Sequence, residues 1–284
     1  MMLCLTAIKA RVYAMSNNYS INDLRYLMAR LRDPETGCPW DIKQSYATIS
    51  SYTVEEVYEV VDAIERNDLS DLSEELGDLL FQIIFYCQMA EEQGEFDFDT
   101  VINLITSKLV RRHPHVFPEG TLKSTRAGSS IDEQQIKQNW EAIKQEERQQ
   151  KGNSGILDDV PNALPAQMRA TKLQKRAANY NFDWPNTDGV IDKVKEELAE
   201  LQQEVDSGNI TRQEEELGDL MFACVNLARH LSIDSERALA KANNKFKRRF
   251  ESMDAELDLK SNQSIDKDSL EEAWNNAKKA EKNR

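Results

Sequence analysis

The same acidic signature occurs twice in this chain, in the same order and at the same internal spacing. Glu56-Val57-Tyr58-Glu59 is followed after 15 residues by Glu75-Leu76-Gly77-Asp78, and Glu197-Leu198-Ala199-Glu200 is followed after 15 residues by Glu216-Leu217-Gly218-Asp219. One offset of 141 carries all four acids of the first copy onto the second. Residues three apart share a face of a helix. A short turn between two such helices makes them antiparallel neighbours and brings both acid pairs into one seam. The pattern therefore predicts a duplicated helix pair, with four carboxylates along the seam of each copy.

The duplication continues past the acids. Lys108-Leu109-Val110-Arg111-Arg112 matches Lys245-Phe246-Lys247-Arg248-Arg249 at an offset of 137, and Ser130-Ile131-Asp132 with Trp140 matches Ser264-Ile265-Asp266 with Trp274 at 134. Each repeat thus reads as an acidic helix pair, a basic helix end, a loop and a short Trp-bearing helix. We expect an extension over residues 1–19, a first repeat over 20–150, a linker over 151–161 and a second repeat over 162–284. The polar run Lys151-Gly152-Asn153-Ser154-Gly155, with Pro161 and Pro165 beyond it, marks the joint. With only 10 Gly and 7 Pro, 30% charged residues and no convincing alternating run, the expected class is all-α. Predicted helices are Val54–Glu65 with Thr53 as N-cap, Leu72–Gln93, Gly189–Val205 and Gln213–Leu231, with a turn at Ser207-Gly208-Asn209. One hairpin is too small to cover the apolar second helix, so further helices or a second subunit are expected.

A formal net charge of −14 argues against stable nucleic-acid binding, which needs a basic surface. Cys4, Cys38, Cys87 and Cys224 have no metal-type spacing and read as reduced core thiols of a cytoplasmic protein. Met1 to Met15 is interrupted by Lys9 and Arg11 and does not read as a signal peptide, and no segment reads as a membrane span.

Four carboxylates in one seam repel one another unless a cation neutralises them. All-oxygen ligation without His or Cys selects Mg²⁺, or Mn²⁺, over zinc or copper. Such an ion keeps positions open for water and phosphate oxygens, which points to metal-assisted phosphate hydrolysis. Lys193 stands one turn before Glu197 and Arg212 one turn before Glu216, while Lys245 and Arg249 share a face of their own. All four are candidates to meet phosphates. Trp274, like Trp140, reads either as a stacking surface for a base or as a core anchor. The plainer alternatives are a solvated acidic face and a capping box of Thr53 with Glu56, although Val194 at the matching place argues against the latter. Gly77 and Gly218, costly inside helices, suggest close helix approach beside the acids. A di-iron bundle would need a Glu-x-x-His motif that is missing here. His113 and His115 read as a helix-terminating loop rather than as zinc ligands.

Together with Gly37-Cys38-Pro39-Trp40-Asp41, Arg111-Arg112-His113-Pro114-His115-Val116-Phe117 and Phe182-Asp183-Trp184, the doubled acid pattern resembles the MazG family of nucleoside triphosphate pyrophosphohydrolases. The resemblance runs from about Ile21 to near the end of the chain. It implies tandem MazG-like helical bundles, a homodimer, and Mg²⁺-dependent cleavage of nucleoside triphosphates between the α and β phosphates. The products would be a nucleoside monophosphate and pyrophosphate. Carried over by position, the family's metal ligands and catalytic acids fall on Glu197, Glu200, Glu216 and Asp219, and its substrate contacts on Lys193, Arg212, Lys245, Arg249 and Trp274. Arg212 stands where the family pattern often has Lys.

The first repeat keeps the acids Glu56, Glu59, Glu75 and Asp78 as a second, weaker metal set. The offset of 141 places Tyr52 opposite Lys193 and Asp71 opposite Arg212, so both flanking cations are lost. The second repeat is therefore the expected catalytic half. The alternative is a non-catalytic dimerisation or interaction module, above all for the first repeat.

Overall fold

The structure is a computed structural model describing residues 18–126, 132–150, 155–259 and 265–282, and every element of regular structure among these residues is helical. In chain order the helices are α1 (Ile21–Leu31), α2 (Pro39–Ile42), α3 (Tyr46–Arg66), α4 (Leu69–Glu92), α5 (Phe98–Arg112), α6 (Glu133–Gln150), α7 (Ala166–Ala178), α8 (Thr187–Ser207), α9 (Ile210–His230), α10 (Ser235–Leu257) and α11 (Lys267–Lys282). The chain divides into two compact units, Met1–Ile143 and Lys144–Arg284. Residues 1–17 of the expected extension, residues 151–154 of the expected linker, and Ser130, Ile131 and Ser264 of the repeat match lie outside the described residues.

Caps set the hairpin in each unit. Ser45 opens α3 with a capping box: its hydroxyl accepts from the Thr48 N–H, and Thr48 Oγ1 accepts from the Ser45 N–H at 2.8 Å. α3 closes on Asn67 in the left-handed region (φ 57°), and Asp68 then caps α4 by accepting from the N–H groups of Ser70 and Asp71. In the second unit Asn186 caps α8, Gly208 takes the left-handed position (φ 75°), and Asn209 caps α9. Each turn is thus one left-handed residue followed by one Asx cap. The offset of 141 carries the bounds of α3 onto those of α8 residue for residue. Asp97 and Asp234, 137 apart, open α5 and α10 in the same way.

The caps also correct the predicted bounds. Thr53 lies inside α3 rather than at its start, because the Ser45–Thr48 box begins the helix earlier. Its hydroxyl donates to the Ile49 carbonyl at 3.2 Å and lies 2.8 Å from Tyr86 Oη on α4. A capping role for Glu56 with Thr53 is thereby removed. α4 starts at Leu69, three residues before the expected Leu72, because Asp68 is the cap. The Trp-bearing helices are longer than expected, with 18 residues in α6 and 16 in α11.

Packing around the hairpins explains how they are covered. In the first unit α1 lies on α4, and Met28, Ile49, Ile84, Phe85 and Met89 form a buried cluster flanked by Leu24, Leu80, Phe81, Tyr86 and Phe98. Arg32, at the end of α1, binds Glu92 at 2.7 Å, with the Arg32 side chain shielded and Glu92 exposed. In the second unit α7 lies on α9, where Gln174 Nε2 donates to the Phe222 carbonyl at 2.9 Å, and α10 packs on α11. The motif Phe182-Asp183-Trp184 fastens the hairpin ends. Asp183 accepts from Arg229 and lies 2.9 Å from His230 Nε2 at the end of α9, while the Trp184 ring occupies the space a side chain at Gly189 would fill. Gly37 has a similar reason, since a Cβ there would run into the carbonyl oxygens of Leu31 and Asp33.

Gly77 and Gly218 behave otherwise than expected. A Cβ at either position meets nothing within 4 Å, so neither glycine marks a close helix approach within its unit. Cys87 is buried as expected and Cys38 is half-buried, but Cys224 is exposed. Val225 on α9 is buried inside the second unit.

Candidate metal centre

The seam between α8 and α9 brings oxygens of Glu197, Glu200 and Glu216 within 4.8 Å of one another. The same seam in the first unit does so for Glu56, Glu75 and Asp78. Each cluster therefore contains three of the four acids predicted from spacing. Asp219, the fourth in the second unit, is exposed and lies outside the group of three. Glu59, the fourth in the first unit, is outside its group as well, although its charge adds to the raised pKa values of Glu56 and Glu75.

The two clusters differ in how their charge is balanced. Glu197 and Glu216 are buried, at 6% and 9% exposure. A buried carboxylate is costly unless paired, and each has a partner one turn earlier on its own helix. Lys193 Nζ stands 2.8 Å from Glu197 Oε1, and Arg212 Nη2 stands 3.2 Å from Glu216 Oε1. The i, i+4 spacing read from the sequence is thus realised as contact. Both cations also hold an outer acid, Glu196 for Lys193 and Glu215 for Arg212, each at 2.7 Å. These bonds push the Lys193 ammonium pKa well above its ordinary value, Glu196 acting first and Glu197 second. Burial raises the pKa of Glu200, and the neighbouring Glu197 carboxylate adds to the effect.

In the first unit the matching cations are replaced. Tyr52 stands edge-on to Trp40 with ring centroids 6.0 Å apart, and Asp71 is bound by Arg66. Arg66 is spent on Asp62, Asp68 and Asp71. The acids of this cluster therefore face mainly one another. Burial raises the pKa of Glu56, followed by the charges of Asp78 and Glu59, and burial likewise raises Glu75, followed by Glu59.

The remaining predicted contacts lie on α10 and α11. Arg249 Nε binds Glu281 Oε2 at 2.7 Å, Lys245 is exposed, and the half-buried Trp274 ring lies 5.4 Å from that of Phe246. None of the three is joined to the acid cluster by an ion pair or ring contact among the described residues. His113 closes α5, with Nδ1 2.6 Å from the Leu109 carbonyl oxygen, in keeping with a helix-terminating loop.

Sequence reasoning missed the outer acids as partners of the cations. Glu196 was legible only as a neighbour of the ligands, and Glu215 not at all. The available signal was a pattern shared by the two helices, Lys193-x-x-Glu196-Glu197-Leu198 on α8 and Arg212-x-x-Glu215-Glu216-Leu217 on α9.

The donor set fits a hard divalent cation: three carboxylate groups able to converge, with no His or Cys in either cluster. No helix among the described residues is long and apolar enough to cross a membrane.

Comparison with known proteins identifies the family of this chain. A sequence model of the MazG nucleotide pyrophosphohydrolase domain matches residues 44–117 and 187–253, which in each unit take in the hairpin and the helix after it, α5 in full and α10 as far as Met253. The chain is 48% identical over 265 residues to the nucleoside triphosphate pyrophosphohydrolase of Escherichia coli K12, covering 92% of this chain and 98% of that protein. It is 39% identical over 258 residues to the nucleoside triphosphate pyrophosphohydrolase/pyrophosphatase MazG of Thermotoga maritima, covering 90% and 94%. The crystal structure of a mazG-related protein from Thermotoga maritima aligns at 27% identity and a TM-score of 0.36, covering 44% of this chain and 99% of that one.

Proposed function

This chain belongs to the MazG nucleotide pyrophosphohydrolase family, and from that membership we propose that its second unit hydrolyses nucleoside triphosphates between the α and β phosphates, releasing a nucleoside monophosphate and pyrophosphate. The observation that carries this reading is the convergence of Glu197, Glu200 and Glu216 with Lys193 and Arg212 already at their side.

Glu197, Glu200 and Glu216 would hold a divalent cation, Mg²⁺ or Mn²⁺, with Asp219 on the exposed side of the same helix face. When bound, the ion supplies Lewis-acid polarisation of a phosphoryl oxygen and a water of lowered pKa. The protein's own cations do the rest. Lys193 and Arg212 sit at the rim and can offset the negative charge that gathers on the pyrophosphate leaving group. Lys245 and Arg249 offer a second basic edge on α10, and Trp274 on α11 offers a ring face for a base. Glu196, adjacent to Glu197 in sequence, is engaged by Lys193, which argues against a free role in taking a proton from water.

We propose that the first unit contributes little turnover of its own. It keeps the acids but has Tyr52 and Asp71 where the second unit has its cations, so a triphosphate approaching it meets net negative charge. For the assembly we propose a homodimer, supported by the stripe Leu217, Met221 and Cys224 on α9. These residues recur at i, i+4 and i+7 and are all exposed within the unit. Free thiols and a nucleotide substrate support a cytoplasmic setting, and the net charge of −14 speaks against stable binding to nucleic acid.

A nucleotide panel with Mg²⁺ tests the reaction. The expected products are monophosphate and pyrophosphate, lost with chelator and regained with Mg²⁺ or Mn²⁺. Release of orthophosphate and a nucleoside diphosphate would reject the cleavage site.

A further inference from the structure

The pattern shared by α8 and α9 places each cation between two unlike acids. Lys193 bonds Glu197, whose side chain is 8% exposed, and Glu196, which is 55% exposed. Arg212 bonds Glu216, 11% exposed, and Glu215, 54% exposed. The inner acid of each pair belongs to the carboxylate cluster and the outer acid faces solvent. The first unit keeps the outer acids as Glu55 and Glu74 but has neither cation, so the arrangement is not a general requirement of the hairpin. Charge gives the arrangement a meaning. One lysine and one arginine together carry the charge of a single divalent ion, and they rest on two of the carboxylates that such an ion would take.

We propose that Lys193 and Arg212 are exchangeable counterions of the second unit's acid cluster. They neutralise Glu197 and Glu216 while those carboxylates are free of metal, and yield them when a divalent cation binds. Two positive side-chain charges leave the inner acids as two arrive, so the buried carboxylates are never left uncompensated. Each side chain keeps its bond to the outer acid, Glu196 or Glu215, and its released N–H groups become available to phosphate oxygens. Metal binding thereby arms the phosphate contacts, and the first unit has no such coupling. This inference rests on the metal-centre reading given above.

The coupling makes an unusual demand: removing a substrate-binding cation should tighten the binding of metal alone. The test uses the full chain with Glu56→Gln and Glu75→Gln to silence the first cluster, titrated calorimetrically with Mn²⁺ in the absence of nucleotide. Adding Glu197→Gln to this parent should remove the binding isotherm. Lys193→Gln and Arg212→Gln should each tighten Mn²⁺ binding about three- to tenfold, the range expected for losing a partly shielded competing charge. Lys195→Gln is the control for net charge. Its ammonium bonds Asp192 at 2.8 Å on the exposed side of α8, so Mn²⁺ affinity should change by less than about twofold. Lys193→Arg, which keeps the charge, should also stay near the parent value and guards against a folding defect in Lys193→Gln. A parent that binds no Mn²⁺ would overturn the metal-centre reading and this inference with it. Mn²⁺ binding that is unchanged or weakened by Lys193→Gln and Arg212→Gln, or equally tightened by Lys195→Gln, would overturn the exchange alone.

Discussion

Arg212 gives the sharpest test of how the second unit differs from the first, because Asp71 is its natural replacement at the matching position. Arg212→Asp would put the first unit's residue into the second unit's seam. The Arg212 side chain is 52% exposed, so its pairs with Glu215 and Glu216 contribute no more than about 1 kcal/mol to folding. Its contribution to a bound triphosphate should be larger. Losing a hydrogen bond to a charged group costs about 1.5–3 kcal/mol, and an opposed charge near 4 Å at a wet rim adds about 1 kcal/mol. The sum is about 3 kcal/mol, or roughly a hundredfold in kcat/KM at about 1.4 kcal/mol per tenfold. Arg212→Gln, which removes charge without reversing it, should lose about tenfold, the lower end of the same range. Arg212→Lys should keep most of the activity, because charge at this position matters more than the planar fork. Steady-state kinetics with an accepted triphosphate gives the comparison, and circular dichroism melting confirms that the variants fold. If Arg212→Asp stays within about threefold of the parent while folded, Arg212 does not meet the triphosphate and the assignment of the two units loses its main support.

Two further outcomes follow from other parts of the second unit. Burial opposes ionisation of Asp183, but hydrogen bonds from Arg229, His230 and the Trp184 N–H outweigh it and hold its pKa at about 2, against 3.8 ordinarily. The lowered value means stability that is present above pH 4 and lost as pH falls toward 2. Asp183→Asn should therefore cost about 1–2 kcal/mol in urea unfolding at pH 7, with the difference from the parent constant down to about pH 5; equal stability at pH 7 would refute this. In the proposed homodimer a second copy covers Cys224, which is exposed within its unit, so this thiol should react slowly with a thiol reagent in the native protein. Met221→Glu should yield a monomer by light scattering with Cys224 fast to react by peptide mapping, and fast reaction in the unmutated protein would place the interface elsewhere.

Much of this architecture is legible in the sequence because capping and periodicity are local. The acids at i and i+3 placed the two hairpins, and the turns fell where Asn67-Asp68 and Gly208-Asn209 supply a left-handed residue and an Asx cap. Where the reading slipped, a competing local signal was stronger. Thr53 looked like a cap, yet Ser45 and Thr48 form the box that starts the helix. α1 and α7 went unread, although Ser20 with Asp23 is a capping box in plain view, because both helices lie outside the duplicated acid pattern. Gly77 and Gly218 were read as marks of close packing, but the space beside them is open, a property that depends on tertiary placement. Within the site, the pairing of Lys193 and Arg212 with the inner acids followed from i, i+4 spacing. The outer acids escaped notice because an exposed Glu at i+3 looks like any solvated residue until its bond is seen. That Asp219 falls outside its cluster is likewise a matter of side-chain reach, which spacing alone does not fix.

Turnover is proposed to belong to the second unit although both units carry the acids. Glu216 and Glu75 are equivalent by the offset of 141, and each is one of the three acids that converge in its unit. The direct measurement is kcat for Glu216→Gln and Glu75→Gln in the full chain, with pyrophosphate release as the readout and Mg²⁺ in excess. Glu216→Gln should lose at least about a hundredfold, as expected when a metal-holding or transition-state contact is removed, and Glu75→Gln should change by no more than about twofold. Equal losses in two variants that remain folded would contradict this assignment.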